Sequence, residues 1–342
     1  MLDSYPVLGI CGWSGAGKTT LIEQIIPQLQ KKNLTLAVVK HDAHGINIDK
    51  PGKDSDRFFQ AGADVLLQGP SQACLRTHRG KDENLEYLLN RLVEQYDLIL
   101  VEGHKSTPLQ KVWLLSDDES DPPAEAKNVR LTLSRTADRQ SALTDFLDDF
   151  VEQRCLSVPV IGCVPIGGKS NRMGSPKHLL EKEGQTWLER TVELLSPLCS
   201  EVVILGAGEI PESLDARKRL PDVPDAQGPI AGLLAAMRWT PRASYLVAAC
   251  DLPDLTEESL VWLLEVRIPG MWGTLPRLHG VSGIEPLLAH YDFRSRNLLE
   301  QMALQKNYKL NDLFGFEKIM TPLVPEKLQG AWRNVNQMSE IK

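Results

Sequence analysis

The sequence predicts an α/β protein of two consecutive domains, and three observations carry that prediction. At 342 residues the chain exceeds one ordinary core, since about 150 residues per domain is usual. Short apolar runs alternate with amphipathic stretches through both halves, the pattern of parallel strands covered by helices. Each half also opens with an apolar run, a glycine-rich loop and a helix-like stretch, first from Val7 and again from Val160.

Taken in order, Val7–Cys11 reads as a strand and Lys18–Lys31 as the helix after its glycine turn. Leu34–Val39, Asp64–Gln68 and Asp97–Val101 read as further strands of a mostly parallel sheet, with Asn84–Gln95 helical before the last. Ser116–Asn128 (SDDESDPPAEAKN) is acidic, bears prolines and has few apolar residues, so it is expected to be an exposed loop. Ser141–Gln153 closes the half as a helix. A boundary near Cys155–Val158 follows, giving domains 1–155 and 156–342. In the second half, strands are expected at Val160–Val164, Val202–Leu205 and Tyr245–Ala249, and helices at Thr186–Leu195 and Pro229–Arg238. Ile166–Pro176 is a glycine-rich loop between the first strand and helix.

Composition narrows the function classes. The formal net charge is −7, from 38 basic and 45 acidic residues with no basic block, which argues against nucleic-acid binding. No run approaches the roughly 18 apolar residues of a membrane span, and MLDSYPVLGI has no basic region ahead of its apolar run. A cytoplasmic location is expected. The six cysteines form no C-x-x-C pair, so buried reduced thiols are expected rather than a zinc cage or disulfides. No G-x-S-x-G nucleophile elbow occurs.

Gly12-Trp13-Ser14-Gly15-Ala16-Gly17-Lys18-Thr19 fits the G-x-x-x-x-G-K-[ST] phosphate loop between a strand and a helix. Glycines let backbone N–H groups turn toward phosphate oxygens, and the helix adds its positive end. Gly12, Ser14, Gly15, Ala16, Gly17, Lys18, Thr19 and Thr20 form the expected nucleotide loop, with Lys18 on the β/γ-phosphates and Thr19 on Mg²⁺. Glu102, in DLILVEG, stands where such proteins place the carboxylate that helps hold that metal through water. His41 and His44 share a helical spacing suited to a metal pair, but Gly45 favours a loop with hydrogen-bonded or solvated rings.

Together with KHDAHGINIDKPGKDSDRFFQAGA (Lys40–Ala63) and LILVEGHK (Leu98–Lys105), this loop resembles the MobB-type family of molybdopterin-guanine dinucleotide biosynthesis. The resemblance covers about the first 150 residues. It implies a P-loop NTPase fold, GTP binding with weak hydrolysis at best, an adaptor role and homodimerisation. Asp49, Lys53 and Asp54 would lie in a loop facing the phosphates. No N-K-x-D guanine-reading motif is present.

The second constellation runs from Gly167 to Lys177 (GGKSNRMGSPK), where backbone N–H groups can wrap a triphosphate while Arg172 and Lys177 clamp its charge. Downstream, Gly228-Pro229-Ile230-Ala231-Gly232 opens a helix. Asp222 precedes it, placed to accept from a base N–H or ribose hydroxyl. Asp251 ends a buried strand, the usual post for a Mg²⁺ ligand in an open α/β site, although DLPDLTEE also allows it to cap a helix.

With CDLP, IEPLLAHY (Ile284–Tyr291) and Asn334-Val335-Asn336, this set is similar to the MobA-type molybdenum cofactor guanylyltransferases, from about Val158 onward. The resemblance implies a Rossmann-like nucleotidyltransferase domain that joins GMP from GTP to the terminal phosphate of molybdopterin with Mg²⁺. It implies catalytic roles for Arg172, Lys177 and Asp251. GTP contacts fall to Gly167, Gly168, Lys177, Asp222, Gly228, Gly232 and Asp251, and acceptor contacts to Asn334 and Asn336. Metal ligation falls to Asp251 here and to Thr19 and Glu102 in the first domain. Expected partners are the molybdenum-insertion protein and apo-molybdoenzymes or their chaperones, with no nucleic acid and no membrane. Pro165-Ile166 departs from the family's Leu-Ala, removing one backbone N–H, and Leu205-Gly206 lacks the family's Asn. Two alternatives stay open: a cytidylyl or other nucleotidyltransferase, and a non-catalytic GTP-regulated scaffold for molybdoenzyme maturation. His290 and Tyr291 read as core and surface residues.

Overall fold

A computed structural model describes residues 4–41, 48–78, 80, 84–167 and 176–335. It divides into two compact units, one holding Met1–Pro27 with Leu36–Phe146 and the other Gln28–Thr35 with Leu147–Lys342.

The first unit runs β1 (Val7–Gly12), α1 (Lys18–Lys31), β2 (Leu36–Lys40), α2 (Asp54–Gln60), β3 (Val65–Gln68), β4 (Ala73–Arg76), α3 (Leu85–Leu92), β5 (Leu98–Glu102), β6 (Lys111–Leu114) and β7 (Val129–Leu133). α1 from Gln28 onward and the helix α4 (Arg139–Ser157) from Leu147 onward belong to the second unit. Five strands form a parallel sheet in the order β2-β5-β1-β6-β7. β1 and the first four residues of β5 are apolar and buried, because both faces of the sheet are covered.

Three sequence expectations change here. Asp64–Gln68 is not a strand of the parallel sheet: β3 pairs antiparallel with β4 as a separate hairpin, closed where Gly69 N–H donates to Gln72 C=O at 2.8 Å. Its apolar run imitated a buried strand, yet Leu66 and Leu75 stand exposed. Two sheet strands, β6 and β7, were not foreseen. Lys111 opens β6 fully buried, its Nζ donating to the carbonyls of Thr107, Leu109 and Lys127, so a charged residue disguises a core strand. Finally, Lys53 caps α2 and Asp54 opens it, so the expected loop gives way to a helix there.

The second unit continues with β8 (Val160–Pro165), a short hairpin β9 (Glu181–Lys182) and β10 (Gln185–Thr186), α5 (Trp187–Leu195), β11 (Glu201–Leu205), β12 (Lys218–Leu220), α6 (Pro229–Trp239), β13 (Ser244–Ala248), α7 (Glu257–Glu265), β14 (Gly273–Thr274), β15 (Leu288–Tyr291), α8 (Ser295–Leu304) and β16 (Ile319–Met320). Seven strands make one sheet in the order β12-β11-β8-β13-β15-β14-β16. The first four are parallel, and β15 runs antiparallel to both β13 and β14. One face, carrying Val164, Ile204, Leu246 and Ala248, packs on Leu188 and Val192 of α5 and Leu260 and Leu263 of α7. A capping box starts α5: the Thr186 hydroxyl accepts from Glu189 N–H, and the Glu189 carboxylate accepts from Thr186 N–H. His290 is buried as expected, whereas Tyr291 is fully buried rather than a surface residue. None of the described helices is long and apolar enough to cross a membrane.

Candidate functional sites at the two sheet edges

In the first unit, the loop between β1 and α1 carries three glycines with positive φ, Gly12, Gly15 and Gly17. Gly12 has the strictest requirement, because a Cβ there would meet the Leu114 carbonyl oxygen at 2.6 Å. Lys18 arches over the loop, its Nζ donating to Gly12 C=O at 3.1 Å and Trp13 C=O at 2.8 Å. The Thr19 hydroxyl donates to Glu102 Oε1 at 3.0 Å, and Lys40 Nζ lies 3.9 Å from Glu102 Oε2. β1 and β5 are parallel neighbours, so the residues after them meet at one edge. Thus Thr19 and Glu102, distant in sequence, come together.

Two contributors escaped sequence reasoning. The Arg139 guanidinium donates to Ala16 C=O at 2.7 Å, Ser134 C=O at 2.8 Å and Leu133 C=O at 3.2 Å, tying the phosphate loop to the strand beyond it. Nothing in the sequence around Arg139 marks this role. Lys105 Nζ stands 3.5 Å from the Trp13 ring centroid, and burial followed by the nearby Lys18 charge lowers its pKa. LILVEGHK ends on this residue. Asp49 lies 3.7 Å from the Arg76 guanidinium. His44 falls outside the described residues, and the His41 ring instead lies 4.6 Å from that of His104, centroid to centroid.

In the second unit, β12, β11, β8 and β13 are parallel, so the segments following them share one edge. Those segments carry Asp222, Gly206, Gly167 and Asp251 in that spatial order. Lys177 opens a single 3-10 turn, Lys177–Leu179, held by Leu180 N–H donating to Lys177 C=O. Its Nζ lies 3.1 Å from Asp251 Oδ2, with the side chains 20% and 21% exposed. Asp251 is not a helix cap: Thr256 caps α7, its hydroxyl accepting from Ser259 N–H. Cys250, beside it, is a buried thiol whose pKa burial pushes up to about 12.

Gly232 faces the sheet from α6, where a Cβ would come 3.2 Å from Leu205 Cβ and 3.4 Å from Asp222 Oδ1. Desolvation raises the Asp222 pKa. Gly228 precedes α6 with φ 62°, and Gly167 has φ 116° after β8. Pro165 ends β8 in register with Leu205, and Ile166 N–H donates to Leu205 C=O at 2.8 Å, so the proline leaves that ladder intact. Gly168, Arg172 and Asn336 lie outside the described residues.

A pocket of about 310 Å³ adjoins this edge, lined by Asp251, Asn334, Glu285, Asn311 and Trp332 among others. Val335 N–H donates to Asp251 C=O at 3.2 Å, which fixes Asn334 beside the strand end. Sequence reasoning missed Glu285 and Asn311. Burial raises the Glu285 carboxyl, and Asn311 Oδ1 accepts from Ile284 N–H at 3.2 Å. The IEPLLAHY motif holds Glu285, whereas no pattern signals Asn311.

Comparisons with known proteins fall on the same two regions. Residues 7–134 match the family described as molybdopterin guanine dinucleotide synthesis protein B, and residues 162–318 match the MobA-like NTP transferase domain. The molybdopterin-guanine dinucleotide biosynthesis adapter protein of Haemophilus influenzae is 35% identical over 164 residues, which are 44% of this chain and 92% of that protein. A probable molybdenum cofactor guanylyltransferase of Bacillus cereus is 27% identical over 157 residues, 44% of this chain and 78% of that protein. The solved structure of molybdopterin-guanine dinucleotide biosynthesis protein A from Archaeoglobus fulgidus is 26% identical, with a TM-score of 0.44, covering 53% of this chain and 94% of that one.

Proposed function

The chain belongs to the MobB family through its first part and continues into a MobA-like NTP transferase domain, and from that premise we propose that it makes a molybdopterin guanine dinucleotide. The second domain, 156–342, transfers GMP from GTP to molybdenum-molybdopterin, and the first, 1–155, binds GTP as an adaptor. The approach of Lys177 Nζ to Asp251 Oδ2 at 3.1 Å, from segments after two neighbouring strands, carries this reading.

In the transfer step an acceptor phosphate oxygen bonds to the α-phosphorus of GTP while the bond to the β-phosphate oxygen breaks, and pyrophosphate leaves. The acceptor is already anionic, so no general base is required. Lys177 turns from Asp251 to the phosphates and meets the charge that grows on their oxygens, the kind of contact that lowers such barriers. Arg172 shares that charge-stabilising role. Asp222, Gly228 and Gly232 sit along the edge for base and ribose, and Asn334 with the 310 Å³ pocket takes the acceptor.

Among the described residues, no group of three or more His, Cys, Asp or Glu side chains gathers to hold a metal ion. Mg²⁺ fits nonetheless, because it is commonly held by one or two carboxylates with water and substrate phosphates. Asp251 already faces a cation, and Thr19 hydroxyl already meets Glu102. When bound, Mg²⁺ neutralises phosphate charge. The protein's part is to hold Asp251 and the Thr19–Glu102 pair at the two sheet edges. The exposed Leu66 and Leu75 of the β3–β4 hairpin support homodimerisation through the first domain.

Incubation with molybdopterin, GTP and Mg²⁺, followed by mass analysis of the pterin, tests the proposal. A GMP adduct lost in Asp251→Ala is the expected result. A CMP adduct formed only with CTP would replace guanylylation by cytidylylation, and absence of any adduct would leave a scaffold.

A further inference from the structure

A second cavity, of about 430 Å³, lies at the opposite end of the same sheet. Ser244 opens β13, and Asp251 follows that strand's far end, so the cavity wall stands roughly 20 Å from the transfer edge. The register aligns Leu246, His290 and Thr274 across β13, β15 and β14, and Ser244 shares their face. That face is the one covered by α7, and the segment after α7, with Arg267, Ile268 and Met271, completes the wall.

Two uncharged side chains in this wall each bury a polar atom that has no partner among the described residues. Ser244 is 3% exposed and His290 5%, yet Ser244 Oγ and His290 Nε2 make no hydrogen bond. Folded proteins rarely bury such atoms unsatisfied without a ligand or water to receive them. Charge selects the ligand. Arg294 is held against Asp292 Oδ1 at 3.0 Å, which balances that guanidinium. Arg267 makes one hydrogen bond, from Nε to Leu264 C=O at 2.7 Å, and no carboxylate lies within ion-pair distance among the described residues. Glu152 and Glu265 also line the cavity, but both are exposed to water. His290 is kept neutral by burial and by the Arg267 charge, so it offers a hydrogen bond without adding charge. The Asp292 charge acts on Arg267 as well, so two guanidinium groups share one carboxylate in this wall, and the single net positive charge suits a monoanion better than a doubly charged phosphate. Leu264, Ile268 and Met271 supply apolar surface, and the volume falls in the usual range for small-ligand sites.

We propose that this cavity binds a small organic carboxylate, its head on Arg267, Ser244 Oγ and His290 Nε2 and its apolar body against Leu264 and Met271. Such a site is separate from the nucleotide and acceptor positions and does not rest on the guanylyl-transfer reading. Fluorine NMR on the full chain tests it with para-fluorobenzoate and its neutral counterpart, para-fluorobenzyl alcohol. The carboxylate should bind at least about tenfold more tightly than the alcohol, and saturating GTP with Mg²⁺ should not displace it. Arg267→Gln should weaken the carboxylate about ten- to a hundredfold, and Ser244→Ala by less. Equal affinity for acid and alcohol on the unmutated chain would overturn the proposal whatever the variants do. So would no carboxylate binding at about 10 mM, or displacement by GTP.

Discussion

Replacing Lys177 by alanine deletes the cation 3.1 Å from Asp251 Oδ2 and leaves that carboxylate 21% exposed without its partner. At this separation an effective dielectric near 20 gives a gross attraction of about 5 kcal/mol. Desolvation of both groups, lost side-chain entropy and residual contact with water cut the net worth of the pair to about 1–2 kcal/mol. The kinetic effect should be larger. A cation aimed at charge that develops in the transition state is worth about a hundred- to a thousandfold in kcat, or about 3–4 kcal/mol. Urea unfolding and pyrophosphate release, measured on the same preparations, separate the two effects. Lys177→Ala and Asp251→Ala should each lose most of their turnover for at most about 2 kcal/mol of stability. The double variant removes both charges, so its loss of stability should fall short of the sum of the single losses by about 1–2 kcal/mol while its turnover stays low. Wild-type turnover in Lys177→Ala would refute the reasoning. Turnover that recovers with stability in the double variant would show that the pair only holds the fold.

Gly206→Ala places a Cβ 2.4 Å from the Ile166 carbonyl oxygen at φ 107°, so urea unfolding should show a loss of about 2–4 kcal/mol; an unchanged midpoint would contradict that close approach. In an Asp251→Ala background, Lys18→Ala should weaken calorimetric GTP binding about ten- to a hundredfold, and undiminished binding would remove the nucleotide from the first loop. Burial raises the Cys199 and Cys250 thiols from 9.0 to about 12, so the folded chain keeps protons that the unfolded chain gives up. Their contribution to stability is therefore whole below pH 9.0 and falls as pH climbs toward 12, by at most about 1.4 kcal/mol per pH unit for each thiol. Cys250→Ala should flatten the alkaline limb of a stability–pH curve, and an identical limb would count against the buried thiol.

Much of the local geometry of the candidate sites was legible because it is written in short, contiguous pieces. The phosphate loop needs glycine at positive φ where Leu114 approaches Gly12, and that demand leaves its mark within eight residues, Gly12–Thr19. The capping box at Thr186 and Glu189 is equally local. Reading failed where the deciding partner is remote. The apolar run at Val65 looks alike whether its neighbour is β4 or a buried sheet strand, and Lys111 looks like a surface residue until three carbonyls surround its ammonium. Arg139 and Asn311 carry no pattern, since their partners lie on other elements.

By itself, then, the sequence determined two α/β domains, two glycine loops and the acids and lysines expected to serve them, because backbone sterics and hydrophobic periodicity act over a few residues. Only the tertiary structure decided which of those groups meet. Strand order brings Lys177 to Asp251 and Thr19 to Glu102, and it sets Ser244 and His290 together at the opposite end of the sheet. Parallel neighbours deliver their following segments to one edge, and which strands become neighbours depends on long-range packing of whole faces.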